Sequence, residues 1–526
     1  MSLFLGISSI IFPVLVYFIA IHSREKRNLP LPPGPRGLPI IGNLFDLPGR
    51  HEKDWECYHK HKKLYGPISY MKAMGQPMVI LSDPDLAFKL LEKRSGKYWS
   101  RPVSNFADMS GWSQILGGLT KPEDIRLTRK FLHQEIGTKA SLSSFDDIQR
   151  SEVSRLLLRL LKEPKELQGI IRKEAGAIAL KIAYGYNIES DSRDPLVDLA
   201  ETAINEFSLA MVPTSWIVDF VPFLKYLPVW FPGAGFIKTA QQFKANSTAF
   251  TDIPYNYVKQ QMKADSFIPS FLSNCLQRNP VVPGSKEETI LKWAAADLYA
   301  GGSDTTVSSM SSFFLAIALF PEAQRKAQEE LDSVIGSDRL PQAHDRESLP
   351  YMNALVKEVL RWHPVLPVNI AHVTVQDDEC EGYFIPKGSF VFANIWTFTH
   401  DPDVYDEPMA FNPDRFLESS NGRKPAPDPH RYVFGFGRRA CPGRALADAN
   451  IFLSVAQILA VYNISKPMVD GKVQDIQPNF TGGVISHPTP YRVSVKPRSQ
   501  KHQELVESLE EFYPWEKSDA ALLPSM

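Results

Sequence analysis

Cysteine is scarce in this chain, with four among 526 residues. Cys57, Cys275, Cys380 and Cys441 stand far apart, and no two share a CxxC or other paired spacing. A disulfide framework and a thiol-built zinc site are therefore not indicated, and a reducing compartment suits the main body. An excess of either charge is missing too. Lys and Arg number 58 against 59 Asp and Glu, a formal net charge of −1, so nucleic acid is not an expected partner. Internal repeats are absent, which removes stacked-repeat architectures. No charged side chain precedes or interrupts the apolar run at 2–21, and the first cations, Arg24, Lys26 and Arg27, come after it. A secretory leader carries basic residues ahead of its apolar run, so a cleaved leader fits less well than a retained anchor.

What is present is an ordinary globular composition, 44% hydrophobic and 22% charged, with length for a large core. As a helix, 2–21 would span about 30 Å, one bilayer core. The cations after it place the C-terminal body in the cytosol by the positive-inside rule. Five prolines follow, Pro30, Pro32, Pro33, Pro35 and Pro39, and they favour a stiff, extended hinge over 22–44. A main domain over 45–499 and a charged tail over 500–526 complete the division. The segment 216–236 carries Phe220, Phe223, Tyr226, Trp230 and Phe231, an apolar surface that suits either the bilayer or the core.

One stretch carries distinctive chemistry: Phe434-Gly435-Phe436-Gly437-Arg438-Arg439-Ala440-Cys441-Pro442-Gly443. It sets a cysteine directly before a helical pattern over 444–461. Unpaired N–H groups at a helix start and the charges of Arg438 and Arg439 favour a thiolate, which is a nucleophile or a metal ligand. Gly437 and Gly443 lack side chains, so a flat object could lie against the backbone beside the sulfur. A haem is such an object, and cysteine thiolate is one of its axial ligands. In form, 435–440 also fits the dinucleotide fingerprint G-x-G-x-x-A. That motif needs a preceding strand and an acidic residue about 20 positions on, and neither follows here.

A second element is a long helix over 287–320, apolar nearly all round and so expected to be buried. Inside it lies Ala300-Gly301-Gly302-Ser303-Asp304-Thr305-Thr306. Each glycine costs a helix up to about 1 kcal/mol, which suggests that the space is needed. Thr305 can bond back to a carbonyl one turn earlier, and Asp304 adds a titratable group beside it. A helix over 351–362 carries Glu358 and Arg361 at i,i+3. Short β-like runs lie within 65–82 and over 389–396, a helix over 85–93, a loop over 99–120, and a hairpin over 382–388.

The spacing Phe434-x-x-Gly437-x-Arg439-x-Cys441-x-Gly443 resembles the haem-binding loop of the cytochrome P-450 superfamily. The chain as a whole is similar to microsomal, fungal (basidiomycete) secondary-metabolism members. The resemblance implies a mainly α fold with small antiparallel β-sheets and an N-terminal transmembrane helix. It implies haem b with Cys441 as axial ligand to iron, and Asp304 with Thr305 delivering protons to dioxygen. Glu358, Arg361 and Arg415 would form a structural network. Arg129 and His372 would meet the haem propionates, although Ile125 stands where the family places a tryptophan. Substrate contacts are expected from Phe106, Met109, Trp112 and Ile115 in the 99–120 loop. Val368, Thr481, Val484 and Ile485 are expected from two later segments.

The implied reaction is monooxygenation of a hydrophobic small molecule, with O2 as co-substrate and NADPH electrons from a separate flavoprotein reductase. The implied place is the endoplasmic reticulum membrane, as a monomeric catalytic unit in contact with lipid. A terpenoid is the first expectation, with indole or other aromatic and polyketide substrates open. A reductase-independent haem-thiolate isomerase or dehydratase and a non-enzymatic haem sensor are the alternatives.

Overall fold

A computed structural model describes residues 29–524, apart from 50, 51, 191, 213–215, 419–421 and 423. The expected anchor at 2–21 and the start of the hinge lie outside the described residues. The rest of the proline-rich stretch is bonded onto the body. Pro33 O accepts the Tyr70 N–H at 2.9 Å and Pro30 O accepts the Phe384 N–H at 2.8 Å. A Cβ on Gly34 would sit 1.8 Å from the Tyr70 carbonyl oxygen, so no larger residue fits that crossing.

Twelve longer helices carry the architecture: α1 Asp54–Tyr65, α2 Pro122–Ile136, α3 Asp146–Lys162, α4 Leu167–Tyr184, α5 Pro195–Met211 and α6 Gly235–Lys263, then α7 Phe271–Arg278, α8 Lys286–Leu319, α9 Pro321–Val334, α10 Pro350–Trp362, α11 Arg444–Val461 and α12 Gln500–Phe512. Their starts follow sequence chemistry. Ser285 caps α8 by accepting the Glu288 N–H, and Asp194 caps α5 ahead of Pro195. Helix α8 is buried along most of its 34 residues and packs chiefly on α4. A Cβ on Gly302 would lie 3.3 Å from the Ala179 Cβ of α4, so this glycine serves the helix crossing. Helix α11 alone among the described residues is long and apolar enough to cross a bilayer, yet 67% of it is buried inside the body.

The strands are short: β1 Ile68–Ala73, β2 Gln76–Leu81, β3 His372–Val373, β4 Asp378–Cys380, β5 Tyr383–Ile385 and β6 Phe390–Ala393, then β7 Tyr462–Ser465, β8 Met468–Val469, β9 Lys472–Val473 and β10 Ser494–Pro497. The largest sheet runs β1-β2-β6-β3, antiparallel except where β6 runs parallel to β2. Several local expectations shift. The 85–93 helix is an α-turn at Pro84–Ala87 continued by a π-turn at Phe88–Lys93. The 99–120 loop contains a helix at Asn105–Met109 and a 3-10 turn at Trp112–Gln114. The hairpin turns at Glu381-Gly382, both at positive φ, one step before the expected span. The run over 389–396 ends as a strand at Ala393, because Asn394 caps a new helix at Ile395–Thr399.

Beyond 499 the chain is attached to the body. Val506 and Leu509 of α12 are buried against the core containing α3, Pro514 O accepts a hydrogen bond from Arg155, and Glu516 pairs with Lys181.

Glu174 of α4 sits in this core at zero exposure. One carboxyl oxygen receives Asn450 Nδ2 and Ser454 Oγ, each at 3.4 Å. Burial pushes its carboxyl up to about 7 from 4.5. The folded chain therefore holds this proton more tightly than the unfolded chain. Its contribution to stability falls as pH rises from about 4.5 to about 7 and stays low above. Glu174→Gln should remove that loss. Urea unfolding should find the variant more stable than the parent near pH 8, by up to about 3 kcal/mol, and without advantage near pH 4. A difference that does not vary with pH would contradict this account.

Candidate functional site

The cysteine loop turns twice through left-handed backbone, at Gly435 (φ 76°) and Gly437 (φ 52°). The Cys441 N–H donates to Phe434 O at 2.8 Å and closes the loop. The two expected glycine roles divide here. A Cβ on Gly437 would meet Leu91 O at 2.5 Å and Ser95 Cβ at 2.6 Å, and its N–H bonds the Glu92 carboxylate. Gly437 therefore lets the loop press on the Phe88–Lys93 turn and does not clear a ligand face. Gly443 does border the cavity, its ideal Cβ 4.0 Å from the Cys441 sulfur.

Helix α11 begins without a side-chain cap, so the N–H groups of Gly443 and Arg444 are left for the sulfur. Desolvation by the surrounding protein raises the Cys441 thiol although the residue is exposed, its sulfur facing the open cavity, while these N–H groups and the guanidinium groups of Arg129 and Arg444 pull it down. The two cations facing the sulfur are thus not the adjacent pair expected from sequence. Arg438 lies near Gly96, and Arg439 donates to the carbonyls of Trp99, Leu116 and Leu119.

The sulfur opens into a cavity of about 330 Å³. Across from the loop residues, α8 contributes Ala300, Gly301, Thr305 and Thr306 to the lining. A Cβ on Gly301 would meet nothing within 4 Å, so this glycine leaves the space open. Thr305 Oγ1 donates to Gly301 O at 2.5 Å. Asp304 lies off the wall. Its carboxylate is 3.0 Å from His487 Nε2 and 3.9 Å from Arg172 Nη1, on the outer side of the helix.

Three arginines and a histidine border the cavity without an ion-paired carboxylate among the described residues: Arg101, Arg129, Arg439 and His372. Their hydrogen bonds go to backbone carbonyls: Arg101 to Ile370 and Ala371, Arg129 to Ala440, His372 Nδ1 to Tyr98. Burial lowers Arg101 and His372 far below their usual values, and it pulls Arg439 down to about 10, with Arg129 adding repulsion. Arg101 also keeps a buried Nε without a partner. Buried cations facing one another call for an anionic ligand. A flat dicarboxylate carrying iron meets both the cations and the thiol, so the residues present fit a haem. Arg101 was not expected from sequence, because it lies in an aperiodic segment and its lack of a carboxylate partner exists only in space.

Of the expected substrate contacts, Ile115, Val484 and Ile485 line the cavity. Phe106 does not; it stacks on Trp216 at 3.5 Å inside the core. Trp112 is also fully buried, edge-on to Phe207 and Trp293, and Met109 packs against that same core. Val368 packs beside Met71 and Phe392, and Thr481 is spent on the neck of its own loop. Ile178, Ile182, Ile204 and Leu298 form wall in their place. Their helical spacing reads as ordinary core, so the sequence held no separate signal for them.

Glu358, Arg361 and Arg415 meet in the interior. Arg361 grips the carboxylate with two nitrogens, at 2.7 and 2.8 Å, and Arg415 Nε approaches at 3.2 Å. The Asn412 N–H adds a bond at 2.7 Å.

With this geometry in place, comparison with known proteins defines the class. The chain matches the family Cytochrome P-450 over residues 32–495. It belongs to that family, has its mainly helical fold, and is a monooxygenase, an oxidoreductase. The family uses haem and O2 with a reductase partner. Cytochrome P-450 monooxygenase ppsD of Aspergillus oryzae is 46% identical over 497 residues, covering 94% of both chains. Cytochrome P-450 monooxygenase claR of Ampulloclitocybe clavipes is 46% identical, covering 91% of this chain and 89% of its own. The O-methylsterigmatocystin oxidoreductase of Aspergillus flavus is 42% identical, covering 93% and 92%.

Removing Glu358 would leave two buried guanidinium groups facing each other. Glu358→Ala should cost about 3–5 kcal/mol and sharply reduce soluble, folded protein. Thermal unfolding and yield check this, and a near-parental midpoint would contradict it.

Proposed function

We propose that this protein is a membrane-attached haem-thiolate monooxygenase of fungal secondary metabolism that oxidises an aliphatic, hydrophobic small molecule, a terpenoid first. The observation that carries the reading is the pairing of Cys441, at an uncapped helix start, with a cavity bordered by cations that have no carboxylate partner. Cys441 would ligate the iron, and Arg101, Arg129, Arg439 and His372 would hold the propionates. When bound, the haem supplies reductive activation of O2, one oxygen atom entering a C–H bond and the other leaving as water.

The chain's own residues do the rest. Gly301 leaves room beside Thr305, whose hydroxyl can turn from the Gly301 carbonyl toward a ligand in the cavity. Asp304, next to it, is the proton source. Aliphatic walls exclude water and orient a greasy substrate by shape. Apart from Tyr432 and Phe434 beside the cysteine loop, the lining holds Phe207 but neither Phe106 nor Trp112, which supports an aliphatic scaffold over an indole. A polyketide is the second reading, and O-methylsterigmatocystin, for which one relative is named, is a compound to include in the screen.

Lys130, His133 and Arg444 border a second recess beside Cys441. That basic face supports docking of an acidic flavoprotein reductase supplied with NADPH. Phe223 and Trp230, 67% and 80% exposed, support contact with the endoplasmic reticulum membrane.

Purified protein, reduced and exposed to carbon monoxide, should show a thiolate-type Soret shift, and Cys441→Ala should lose it. Turnover of terpene scaffolds should require both NADPH and the reductase. An unshifted Soret band sinks the haem-thiolate reading. Reductase-independent turnover would point to an isomerase or dehydratase, and haem binding without any turnover to a sensor.

A further inference from the structure

Adjacent positions of α8 face opposite ways. Thr305 addresses the cavity, whereas Asp304 turns outward to His487 at 3.0 Å and Arg172 at 3.9 Å. Neither partner is sealed: the His487 side chain is 26% accessible and that of Arg172 34%. A carboxyl needed inside the cavity thus begins its cycle at the solvent edge.

His487 is held there by a rigid loop. Its N–H donates to Thr481 Oγ1 at 3.0 Å, and its carbonyl accepts the Thr481 N–H at 2.8 Å, closing the neck of 480–488. Ser486, next in line, is fastened on three sides. Its N–H donates to Val365 O, its carbonyl accepts Ser308 Oγ from α8 at 2.5 Å, and its hydroxyl meets His363 Nε2 at 2.8 Å. The loop therefore meets α8 twice, one turn apart, and the imidazole is aimed at Asp304. Nδ1 of His487 has no protein partner among the described residues. An imidazole with one nitrogen on a carboxylate and the other free of protein can gain a proton from water and pass one inward.

We propose that His487 is the inlet through which solvent protons reach Asp304, a positioning and relay residue outside the cavity. This rests on the reading of Asp304 as proton source for the monooxygenase. In the step, hydronium from solvent protonates Nδ1 of the neutral ring and leaves as water, and the resulting imidazolium gives its Nε2 proton to Oδ2 of the Asp304 carboxylate. Each of the two transfers breaks one bond to hydrogen and forms one, the ring is left neutral with its proton on Nδ1, which it returns to solvent as Nε2 is reprotonated, and no electrons change hands. The neutral acid has lost its attraction for Arg172 and can rotate toward Thr305. Arg172, Glu201 and His363, with Lys53 beyond it, are the other titratable groups around the pair.

The test uses the full chain, haem-loaded, with the flavoprotein reductase and NADPH. It reads the share of consumed NADPH recovered as hydrogen peroxide, which needs no knowledge of the substrate. His487→Ala removes the relay. His487→Gln keeps a side-chain N–H to hold Asp304 but cannot carry a proton through. Both should raise the peroxide share severalfold and enlarge the solvent deuterium effect on NADPH oxidation. Amide hydrogen exchange over 480–488 should stay at the parental level in His487→Gln, separating lost relay from lost structure. Parental peroxide share and isotope effect in both variants would overturn the proposal alone. A parent protein that oxidises no NADPH would overturn the monooxygenase reading, and this inlet with it.

Discussion

One carboxylate with zero exposure, Glu358, governs where the rest of the site lies. Left alone, a buried charge of this kind would cost several kcal/mol. Arg361 and Arg415 compensate it, and their remaining N–H groups reach the carbonyls of Thr399, Asp406, Pro408 and Ala410. All four lie in the connection between β6 and the cysteine loop, and those of Asp406, Pro408 and Ala410 belong to its irregular part. Irregular backbone has no ladder to define its course. The ion pair on α10 does that work, because the connection must bring its carbonyls to the guanidinium groups. The place of Cys441 is therefore decided largely by side chains some 25 to 80 positions earlier.

The same charge logic runs unfinished in the cavity. Glu358 shows what this protein does with buried cations when a carboxylate is available: it pairs them closely, and all five donors of Arg361 are bonded. Arg101, Arg129 and Arg439 receive carbonyls only, and their mutual repulsion is left standing. A structure that completes one buried network and leaves another short of anions is organised for a ligand that brings them. The thiol shows the reverse tension, raised by desolvation yet faced by N–H groups and two guanidinium groups that favour its anion. A cationic metal would resolve it.

Much of this could be read from sequence wherever chemistry is concentrated in a few adjacent residues. The cysteine loop, the glycine–threonine run of α8 and the Glu358–Arg361 pair each announce themselves by an unusual local cost or spacing. A residue is not legible in the sequence where its role depends on neighbours distant in the chain. Gly437 looks like a ligand-facing glycine until Leu91 O is found against it. Arg438 and Arg439 look like the partners of the thiol, but backbone direction sends them elsewhere. Arg101 and His487 carry no motif, and their roles come from what surrounds them. Ile178, Ile182 and Ile204 have the spacing of core residues because a cavity wall is core with one neighbour missing.

The aromatic residues show how that failure bears on specificity. Phe106 and Trp112 are large and apolar in a loop expected to cover the substrate, which is why contact is expected of them. The fold instead places them behind the wall, where Trp112 braces Phe207 and Phe106 locks against Trp216. An aromatic ring buried on every side fixes its neighbours more firmly than it could fix a ligand, because close packing leaves it no alternative position. The wall it supports is largely aliphatic and shaped, with Asp297 and Asn369 each keeping a buried polar atom without a partner on the lining. Selectivity in such a cavity comes from volume and contour, where a methylene is worth only about 1–3 kcal/mol. Substitutions at Ile178, Ile204 or Ile485 would therefore move the site of oxidation along a scaffold more readily than they would abolish oxidation.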